Sequence, residues 1–381
     1  MQNSRLRDKA SGKGDRIRAD TVGSLLRPDS IHQARARHQA GKIDDAALRA
    51  VEDAAIADVI ALQERIGLRV VTDGEFRREN WWIDFVRHLT GVAILDGETT
   101  AFSHDHGKPS DYVPKTVKTV GKLGVENPVL VDDFRFVASR AREMAKITIP
   151  SPTRMHFHGG RKVVSEAAYP DIEEFFADLA DVYRREIAAL EEAGCRYIQI
   201  DDPLLTYFLD PTLREEVRAD GDDPDARLGR YVRLINACIS ARRPGTTIGI
   251  HLCRGNARSN WIAEGTYEGL AEACFGGLQV DRFLLEYDDE RSGSFAPLRF
   301  MPKGKEVVLG LVTTKRARLE NKDDLKRRLD EATKYVDGDD LAISPQCGFA
   351  SVVEGNLITL DDEIAKLGLV VDTAREFWGR A

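Results

Sequence analysis

Short apolar runs alternate with longer amphipathic segments along most of the chain. The runs are rich in Val, Ile and Leu and are bounded by Gly, Pro or Asp, as is typical of buried strands. Strands are predicted at residues 17–26, 68–75, 146–149, 197–203, 247–253, 282–288, 306–312 and 341–344. The spacing of apolar residues predicts helices at 43–66, 80–89, 171–193, 227–242, 321–335 and 361–378. Strands that alternate with helices in this way predict an α/β fold, a parallel (β/α)₈ barrel.

The regular alternation stops between residues 91 and 127. Here residues 116–123 predict one strand of a hairpin inserted into the barrel, after a loop that contains His104, Asp105 and His106. No shift in composition marks a domain boundary, so we expect residues 17–381 to form a single domain. Residues 1–16 are polar and lack the apolar core of a signal peptide, and we expect them to form a flexible tail.

Composition narrows the class of protein. The chain has 381 residues, of which 42% are hydrophobic and 31% are charged, and this balance is typical of a globular protein. No apolar run is long enough to cross a membrane, and the net charge of −8 argues against nucleic acid as the main partner. The five scattered cysteines favour a reducing, cytoplasmic location over a disulfide framework. A homo-oligomer is compatible with all of these observations.

Polar side chains collect where the predicted strands end. These residues are Ser24, Asp73, Glu75, His156, His158, Asp201, Asp202, His251, Cys253, Glu286 and Cys347. The amino-terminal halves of the same strands are apolar. Because the active site of a (β/α)₈ barrel lies at the carboxyl ends of its strands, this asymmetry predicts a catalytic face.

Four of these residues have the chemistry of metal ligands. His251 and Cys253 lie two positions apart on one strand, so their side chains point to the same side. An imidazole and a thiolate suit Zn²⁺, and Glu286 and Cys347 complete the predicted set. Singly, each has a structural alternative: Cys253 as a small buried side chain, His251 as a core histidine and Glu286 as a helix cap. Their joint occurrence favours a metal site.

Five short motifs carry a resemblance to the catalytic barrel of cobalamin-independent methionine synthase. Residues 21–24 (T-V-G-S), 73–76 (D-G-E-F), 199–203 (Q-I-D-D-P), 250–253 (I-H-L-C) and 344–348 (S-P-Q-C-G) resemble that family's T-x-G-S, H-G-E, Q-I-D-E-P, I-H-x-C and N-P-D-C-G. The motifs occur in the family's order, and the match spans residues 18–380. The resemblance implies the barrel type shared by methionine synthase and uroporphyrinogen decarboxylase.

The resemblance also implies a function, a zinc-dependent S-methyltransferase of methionine biosynthesis. Zn²⁺ would be held by His251, Cys253, Glu286 and Cys347. An amino-acid thiol such as homocysteine would place its ammonium near Glu75 and Asp201 and its carboxylate near the Ser24 turn. Structural alternatives remain for these three residues: Glu75 and Asp201 as helix caps and Ser24 as a turn residue. Since Glu286 would be the one hard oxygen ligand, we expect the incoming thiol to displace it.

Three departures from the family pattern leave parts of the reaction open. We expect a short form without the family's N-terminal half, so the alkyl donor could be methyl-folate, a methyl-corinoid protein or a small methylated compound. No histidine follows the seventh strand, where Lys315 is a substitute proton donor or a solvated lysine. His156 and His158 replace an Asn-Trp stretch and are candidate proton donors or pocket lining. Trp81 could stack on a flat donor such as a pterin or, like Trp82, pack a helix.

Three other functions fit parts of the sequence. A related zinc transferase would open an epoxide with coenzyme M. A metal-free enzyme similar to uroporphyrinogen decarboxylase would use arginines for propionates, with candidates at Arg27, Arg77, Arg78 and Arg154. The pair Cys253 and Cys347 argues against this second function. A structural zinc barrel would have no use for the carboxylates of Glu75 and Asp201.

Overall fold

The computed structural model describes residues 16–96 and 115–381. The predicted tail lies outside the described residues except for Arg16, which forms an ion pair with Asp340. The predicted loop with His104, Asp105 and His106 lies outside them as well. No helix in the described ranges combines the length and apolarity that crossing a membrane requires.

Most strands lie where the apolar runs predicted them, whereas Leu89–Asp96 and Met144–Ala145 form strands that were not predicted. The strands are β1 (Val70–Val71), β2 (Leu89–Asp96), β3 (Lys115–Val125), β4 (Met144–Ala145), β5 (Ile147–Pro150), β6 (Tyr197–Asp201), β7 (Thr247–Leu252), β8 (Arg282–Glu286), β9 (Glu306–Val312) and β10 (Leu341–Pro345). Within the described residues, β5 to β10 form one parallel sheet in which each strand pairs with the next along the chain. This consecutive parallel order is that of a (β/α)₈ barrel.

Helices connect most of the strands and cover the outside of the sheet. They are α1 (Asp29–Gln39), α2 (Asp45–Ile66), α3 (Ile83–Val86), α4 (Val131–Arg140), α5 (Ile172–Glu192), α6 (Leu204–Tyr207), α7 (Pro211–Ala219), α8 (Pro224–Ile239), α9 (Ala271–Gly277), α10 (Lys322–Ala332) and α11 (Leu360–Trp378). The longer ones begin at side chains that accept from the first turn: Asp44, Asp171, Asn321 and Thr359. Each such cap stabilises its helix by about 1 kcal/mol.

The first strand of the barrel is shorter than predicted. Instead of a strand over residues 17–26, Ala19 forms an isolated parallel bridge with Ile343 of β10. The chain then turns, and Leu25 N donates to Gly74 O at 3.0 Å, just beyond β1. β1 pairs with β4, which leads directly into β5. These contacts connect β10 back to β5 and close the ring of strands.

The predicted helix at 80–89 is wrong over most of its length. Only Ile83–Val86 is α-helical, because Asn80 Oδ1 accepts from the amides of Trp82 and Ile83 and starts the helix late. Leu89 already belongs to β2, where it pairs with Val125. The antiparallel pair β2–β3 is the inserted hairpin predicted from residues 116–123. Pairing between distant residues thus overrides a local helical pattern.

Candidate metal centre and substrate cavity

Three of the four predicted metal ligands meet at the carboxyl ends of β7 and β10. The candidate ligand atoms of His251, Cys253 and Cys347 all lie within 4.8 Å of one another. The two sulfur atoms are 3.8 Å apart. His251 and Cys253 share a side because side chains alternate along β7. Cys347 follows Pro345, where the register between β10 and β9 shifts.

The donor set fits a soft or borderline divalent metal such as Zn²⁺. The buried His251 ring interacts with the Cys347 sulfur, and its nitrogens have no other hydrogen-bond partner within the described residues. A buried imidazole whose polar neighbour is a thiol sulfur suits the binding of a soft or borderline metal. The pKa of Cys347 is held well below that of an ordinary thiol, chiefly because the Cys253 thiol hydrogen-bonds to it, although burial opposes the shift. One sulfur of the pair is therefore ready to act as an anionic donor.

Glu286, the fourth predicted ligand, lies outside this group. Its side chain is completely buried, and both carboxylate oxygens have other partners. Oε1 is 3.4 Å from Lys315 Nζ and 3.5 Å from Arg291 Nη2. Oε2 accepts from the backbone N–H of Arg254 at 2.7 Å. Lys315, predicted as a proton donor, thus points at Glu286, and the metal role of Glu286 stays a prediction.

One cavity brings most of the other predicted site residues together with His251, Cys253 and Cys347. It has a volume of about 100 Å³. Among the residues that line it are Ser24, Glu75, Trp81, His158, Asp201, His251, Cys253 and Cys347. These residues come from segments spread over most of the chain. The barrel fold places them on one face, where the sequence predicted a catalytic face at the carboxyl ends of the strands.

Glu75 and Asp201 form the acidic wall of the cavity. Glu75 has a positive φ of 58°, and its Oε1 accepts from Thr148 Oγ1 at 2.7 Å. Asp201 ends β6 and pairs in register with His251. Burial and then the nearby Glu75 raise the pKa of Asp201 to about 7. Two carboxylates that repel each other at the surface of a cavity suit a cationic ligand such as an ammonium group.

Buried hydrogen bonds from the barrel interior fix the orientation of the Asp201 carboxylate. Lys146 Nζ, which can only donate, binds Gln199 Oε1 at 3.0 Å. The Gln199 amide nitrogen must therefore face the other way, and it donates to Asp201 Oδ1 at 2.6 Å and to Val22 O at 2.6 Å. Lys146 is itself paired with Asp20 at 2.9 Å in the barrel interior. Only the second oxygen of Asp201 is left free of the Gln199 amide.

Ser24 and the loop that carries Cys347 are packed directly against each other. Phe349 N donates to Ser24 O at 2.8 Å. A Cβ atom on Gly348 would lie 1.9 Å from Ser24 Oγ, so any other residue at this position would force the Ser24 side chain to move. The predicted substrate turn and the third metal ligand are thereby held as one unit.

The two candidate histidines differ in their surroundings. His156 does not line the cavity; its Nδ1 lies 2.9 Å from Tyr231 Oη, and its ring packs against Phe176. Burial and the neighbouring Arg227 lower the pKa of His156 to about 3, so it is neutral at physiological pH. His158 has an exposed side chain and lines the cavity, and the surrounding protein and then Arg154 lower its pKa to about 3 as well. Of the two, His158 is therefore the one placed for contact with a substrate.

Asn256 lines the cavity but carried no recognisable signal in the sequence. Asn256 Nδ2 donates to Gly348 O at 2.9 Å, and the buried Oδ1 has no partner within the described part of the chain. Arg154 lies over the Trp82 ring at 4.1 Å, and Trp81 beside it is half-buried. Asn256 stands in an irregular loop, where only its closeness to Cys253 in sequence could have drawn attention to it.

The arginines needed for a uroporphyrinogen-decarboxylase-like reaction are mostly engaged elsewhere. Arg27 donates to the carbonyls of Glu75 and Arg78. Arg78 donates to Thr148, and Arg77 pairs with Asp53 and Asp133. Among the four candidate arginines, only Arg154 lines the cavity. The site therefore does not offer the basic ring that binding several propionates would require.

Comparisons with known proteins identify relatives over nearly the whole chain. The family model described as cobalamin-independent synthase, catalytic domain, matches residues 18–376. The uncharacterized protein YxjH of Bacillus subtilis is 43% identical over 365 residues, which cover 95% of each chain. A methionine synthase of Pyrococcus abyssi is 27% identical over 331 residues, covering 86% of this chain and 84% of its own.

Solved structures agree with the observed fold. A putative vitamin-B12 independent methionine synthase from Listeria monocytogenes has a TM-score of 0.76 at 33% identity, covering 96% of this chain and 100% of its own. A B12-independent methionine synthase from Shewanella, in complex with selenomethionine, has a TM-score of 0.70 at 19% identity and covers 95% of this chain and 98% of its own. The second likeness concerns the fold alone.

Proposed function

This chain belongs to the family of cobalamin-independent synthase catalytic domains, and from that premise we propose that it is a zinc-dependent S-methyltransferase that converts homocysteine to methionine. One observation carries the proposal. The donor atoms of His251, Cys253 and Cys347 lie within 4.8 Å of one another, on a cavity that also holds the carboxylates of Glu75 and Asp201. A thiol group and an ammonium group of one small molecule can therefore be bound side by side.

The metal site serves the thiol end of the substrate. A free thiol has a pKa of about 8.5 and is mostly protonated at neutral pH. Zn²⁺ held by His251, Cys253 and Cys347 would supply the positive charge that keeps a substrate thiol deprotonated. The chain contributes soft donors that match this metal, and their burial excludes bulk water from the sulfur.

The rest of the cavity serves the amino-acid end. Glu75 and the free oxygen of Asp201 would bind the ammonium group, and the Ser24 turn would bind the carboxylate. Asn256 Oδ1 is fixed as an acceptor because its amide nitrogen faces Gly348 O, so it would take a further N–H of a substrate. This acidic wall favours an amino-acid thiol over coenzyme M, whose sulfonate would be repelled.

The methyl donor would enter on the side of Trp81. This half-buried ring lines the cavity and offers an apolar face for a flat donor, which favours a methylated folate over a corinoid protein. His158 is exposed at the same cavity and, as a neutral imidazole, would hydrogen-bond to the leaving group. Lys315 is not available to the leaving group because it is paired with Glu286.

The test measures metal, thiol and product separately. Zinc per chain is determined in the purified protein, and homocysteine and coenzyme M binding are compared by calorimetry. Methionine formation is then followed with methyl-tetrahydrofolate or methylcobalamin as donor. About one zinc per chain, selective binding of homocysteine and methionine formed from the folate support the proposal. A zinc protein that binds coenzyme M in preference, or a metal-free protein, contradicts it.

A further inference from the structure

Tyr207 places a phenol hydroxyl on the wall of the substrate cavity. We propose that Tyr207 is the catalytic acid of the methyl transfer: its O–H donates a hydrogen bond, and then its proton, to the atom that loses the methyl group. This inference rests on the proposed function and supplies the proton source that the proposed reaction still lacks. It concerns a residue that the sequence did not single out.

The hydroxyl of Tyr207 is held in a fixed place. The residue is only 3% exposed, and it lines the cavity together with Cys253, Cys347 and Gly255. Its oxygen lies against the loop that follows β7, because a Cβ atom on Gly255 would be 3.1 Å from Tyr207 Oη. Gly255 has a positive φ of 88° and no side chain, which leaves room for the hydroxyl. The Tyr207 ring packs edge-on against Phe157 at a centroid distance of 5.6 Å.

The same hydroxyl has no hydrogen-bond partner within the part of the chain that the structure describes. Other buried tyrosines do have one, since Tyr183 donates to Pro150 O and Tyr267 donates to Leu252 O. A buried polar group without a partner is unfavourable, and buried hydroxyls are therefore almost always hydrogen-bonded. Because the unpartnered hydroxyl of Tyr207 lies on a cavity, its expected partner is a bound ligand.

The other candidates are less suitable as a source of the proton. Lys315 is paired with Glu286. His158 lines the cavity, but with a pKa of about 3 it is neutral and carries no proton to give up as an acid. Arg154 lines the cavity as well, but a guanidinium group is not deprotonated in proteins. A phenol has an ordinary pKa of about 10, and burial raises that of Tyr207 further, so Tyr207 carries its proton at neutral pH.

The balance of the reaction requires this proton. The sulfur of the deprotonated thiol attacks the methyl carbon, so a carbon–sulfur bond forms while the bond between that carbon and the donor's nitrogen breaks. The electron pair of the broken bond stays on the nitrogen, which takes up a proton and leaves as a neutral amine. An amine anion is far more basic than a phenolate, so transfer from Tyr207 is favourable even though burial weakens the acid. The proton that the thiol released on binding then restores the phenol through water.

The experiment compares the methyl transfer step in wild type, Tyr207→Phe and Tyr231→Phe, each as the full chain loaded with zinc. Phenylalanine keeps the ring of Tyr207 and removes only the hydroxyl. Tyr231 is the matched control, because its ring also packs against Phe157 while its hydroxyl contacts His156 Nδ1 at 2.9 Å. A single turnover with homocysteine and methyl-tetrahydrofolate is followed in H₂O and in D₂O. Zinc content and homocysteine affinity are measured on the same proteins.

A catalytic acid at Tyr207 predicts a selective loss in Tyr207→Phe. The single-turnover rate should fall about 100-fold, as is typical when a general acid is removed. The slowing of the reaction by D₂O, which reports the transferred proton, should disappear in this variant. Its zinc content and its homocysteine dissociation constant should stay within about twofold of wild type, because the lost interaction is made in the transition state. Tyr231→Phe should react as wild type does.

Three results would contradict this role of Tyr207. A rate in Tyr207→Phe less than about tenfold below that of wild type would show that the hydroxyl takes no part in proton transfer. An equal loss in Tyr231→Phe, or a loss accompanied by weaker binding of zinc or homocysteine, would make the hydroxyl a structural group. A wild type that binds zinc and homocysteine but forms no methionine would refute the proposed function, and the role of Tyr207 with it.

Discussion

The sulfur atoms of Cys253 and Cys347 lie 3.8 Å apart although 94 positions separate the two residues in the chain. They are brought together because both follow strands of the same parallel barrel, at the end where the strands' carboxyl termini meet. Neither cysteine has the other close to it in the sequence. The closeness of the two sulfur atoms is therefore a property of the fold, and both atoms can serve as donors to one metal ion.

Replacing Cys347 with serine should remove most of the zinc from the protein. The hydroxyl is a harder and less acidic donor than the thiolate, and the loss should exceed the 10- to 100-fold that outer-sphere changes typically cost, so we expect more than roughly 100-fold weaker binding. Zinc per chain after dialysis against a weak chelator measures it. The matched control is Cys195→Ser, since Cys195 Sγ donates to Tyr197 O, which a hydroxyl can also bind. Equal loss in both variants would contradict a local site.

Glu75→Gln should weaken the binding of homocysteine without affecting zinc. The substitution keeps the shape of the side chain but removes the charge that attracts an ammonium group. A hydrogen bond to a charged group contributes about 2 kcal/mol, so the dissociation constant should rise roughly 30-fold. Calorimetric titration of the zinc-loaded protein measures it. Glu79→Gln, at an exposed residue paired with Arg87, is the control and should bind as wild type does.

Gly348→Ala should disturb the metal site and the substrate turn together. The new Cβ would lie 1.9 Å from Ser24 Oγ, and relieving this overlap should cost about 1–3 kcal/mol of unfolding free energy. Urea denaturation and zinc affinity measure the two effects. Gly276→Ala in α9 is the control, because nothing lies within 4 Å of its Cβ position and alanine is the better helix former. Adding Ser24→Gly should restore much of the lost stability, and no recovery would argue against the overlap.

Glu363→Gln should remove a loss of folding stability that the wild type shows as the pH rises from about 5 to 8. Glu363 is buried, its Oε2 accepts from Leu26 N at 2.8 Å, and burial raises its pKa to about 8. Because the folded-state pKa lies above the unfolded value of about 4.3, the wild type loses stability as pH rises from there to about 8.

The glutamine variant lacks this titration. Its unfolding free energy relative to that of wild type should therefore increase by several kcal/mol between pH 5 and pH 8. Urea denaturation of both proteins at these two pH values measures the difference. Parallel pH profiles would show that Glu363 keeps an ordinary pKa.

The sequence was sufficient for the barrel and for placing His251 and Cys253 together at the end of one strand. Period-two alternation in β7 placed His251 and Cys253 on one side, and the order of the apolar runs predicted the order of strands. The membership in the methionine synthase family and the fold are both confirmed. These features depend on local patterns that repeat at the same place in each strand, which is why a single sequence reveals them.

The partner of Glu286 could not be predicted in the same way. A buried carboxylate near a metal site and near two cations has several favourable pairings, and the choice depends on distances set by the packed loops after β8 and β9. The helix predicted at 80–89 was too long for a similar reason, since Leu89 pairs with Val125 in the hairpin. Competition between hydrogen-bond or strand partners that are distant in the chain cannot be read from the periodic pattern of apolar residues.

The bridge between Ala19 and Ile343 bears on how the protein is synthesised. While the chain emerges from the ribosome, the segment around Ala19 cannot form its bridge until Ile343, close to the end of the chain, has been translated. Until then the growing sheet has two open edges, which attract other unfinished chains. Cys347 follows Ile343 by four residues, so the third clustered donor is synthesised together with the strand that closes the ring. A nascent chain stalled before that point would have an open sheet and would lack one of the three donors.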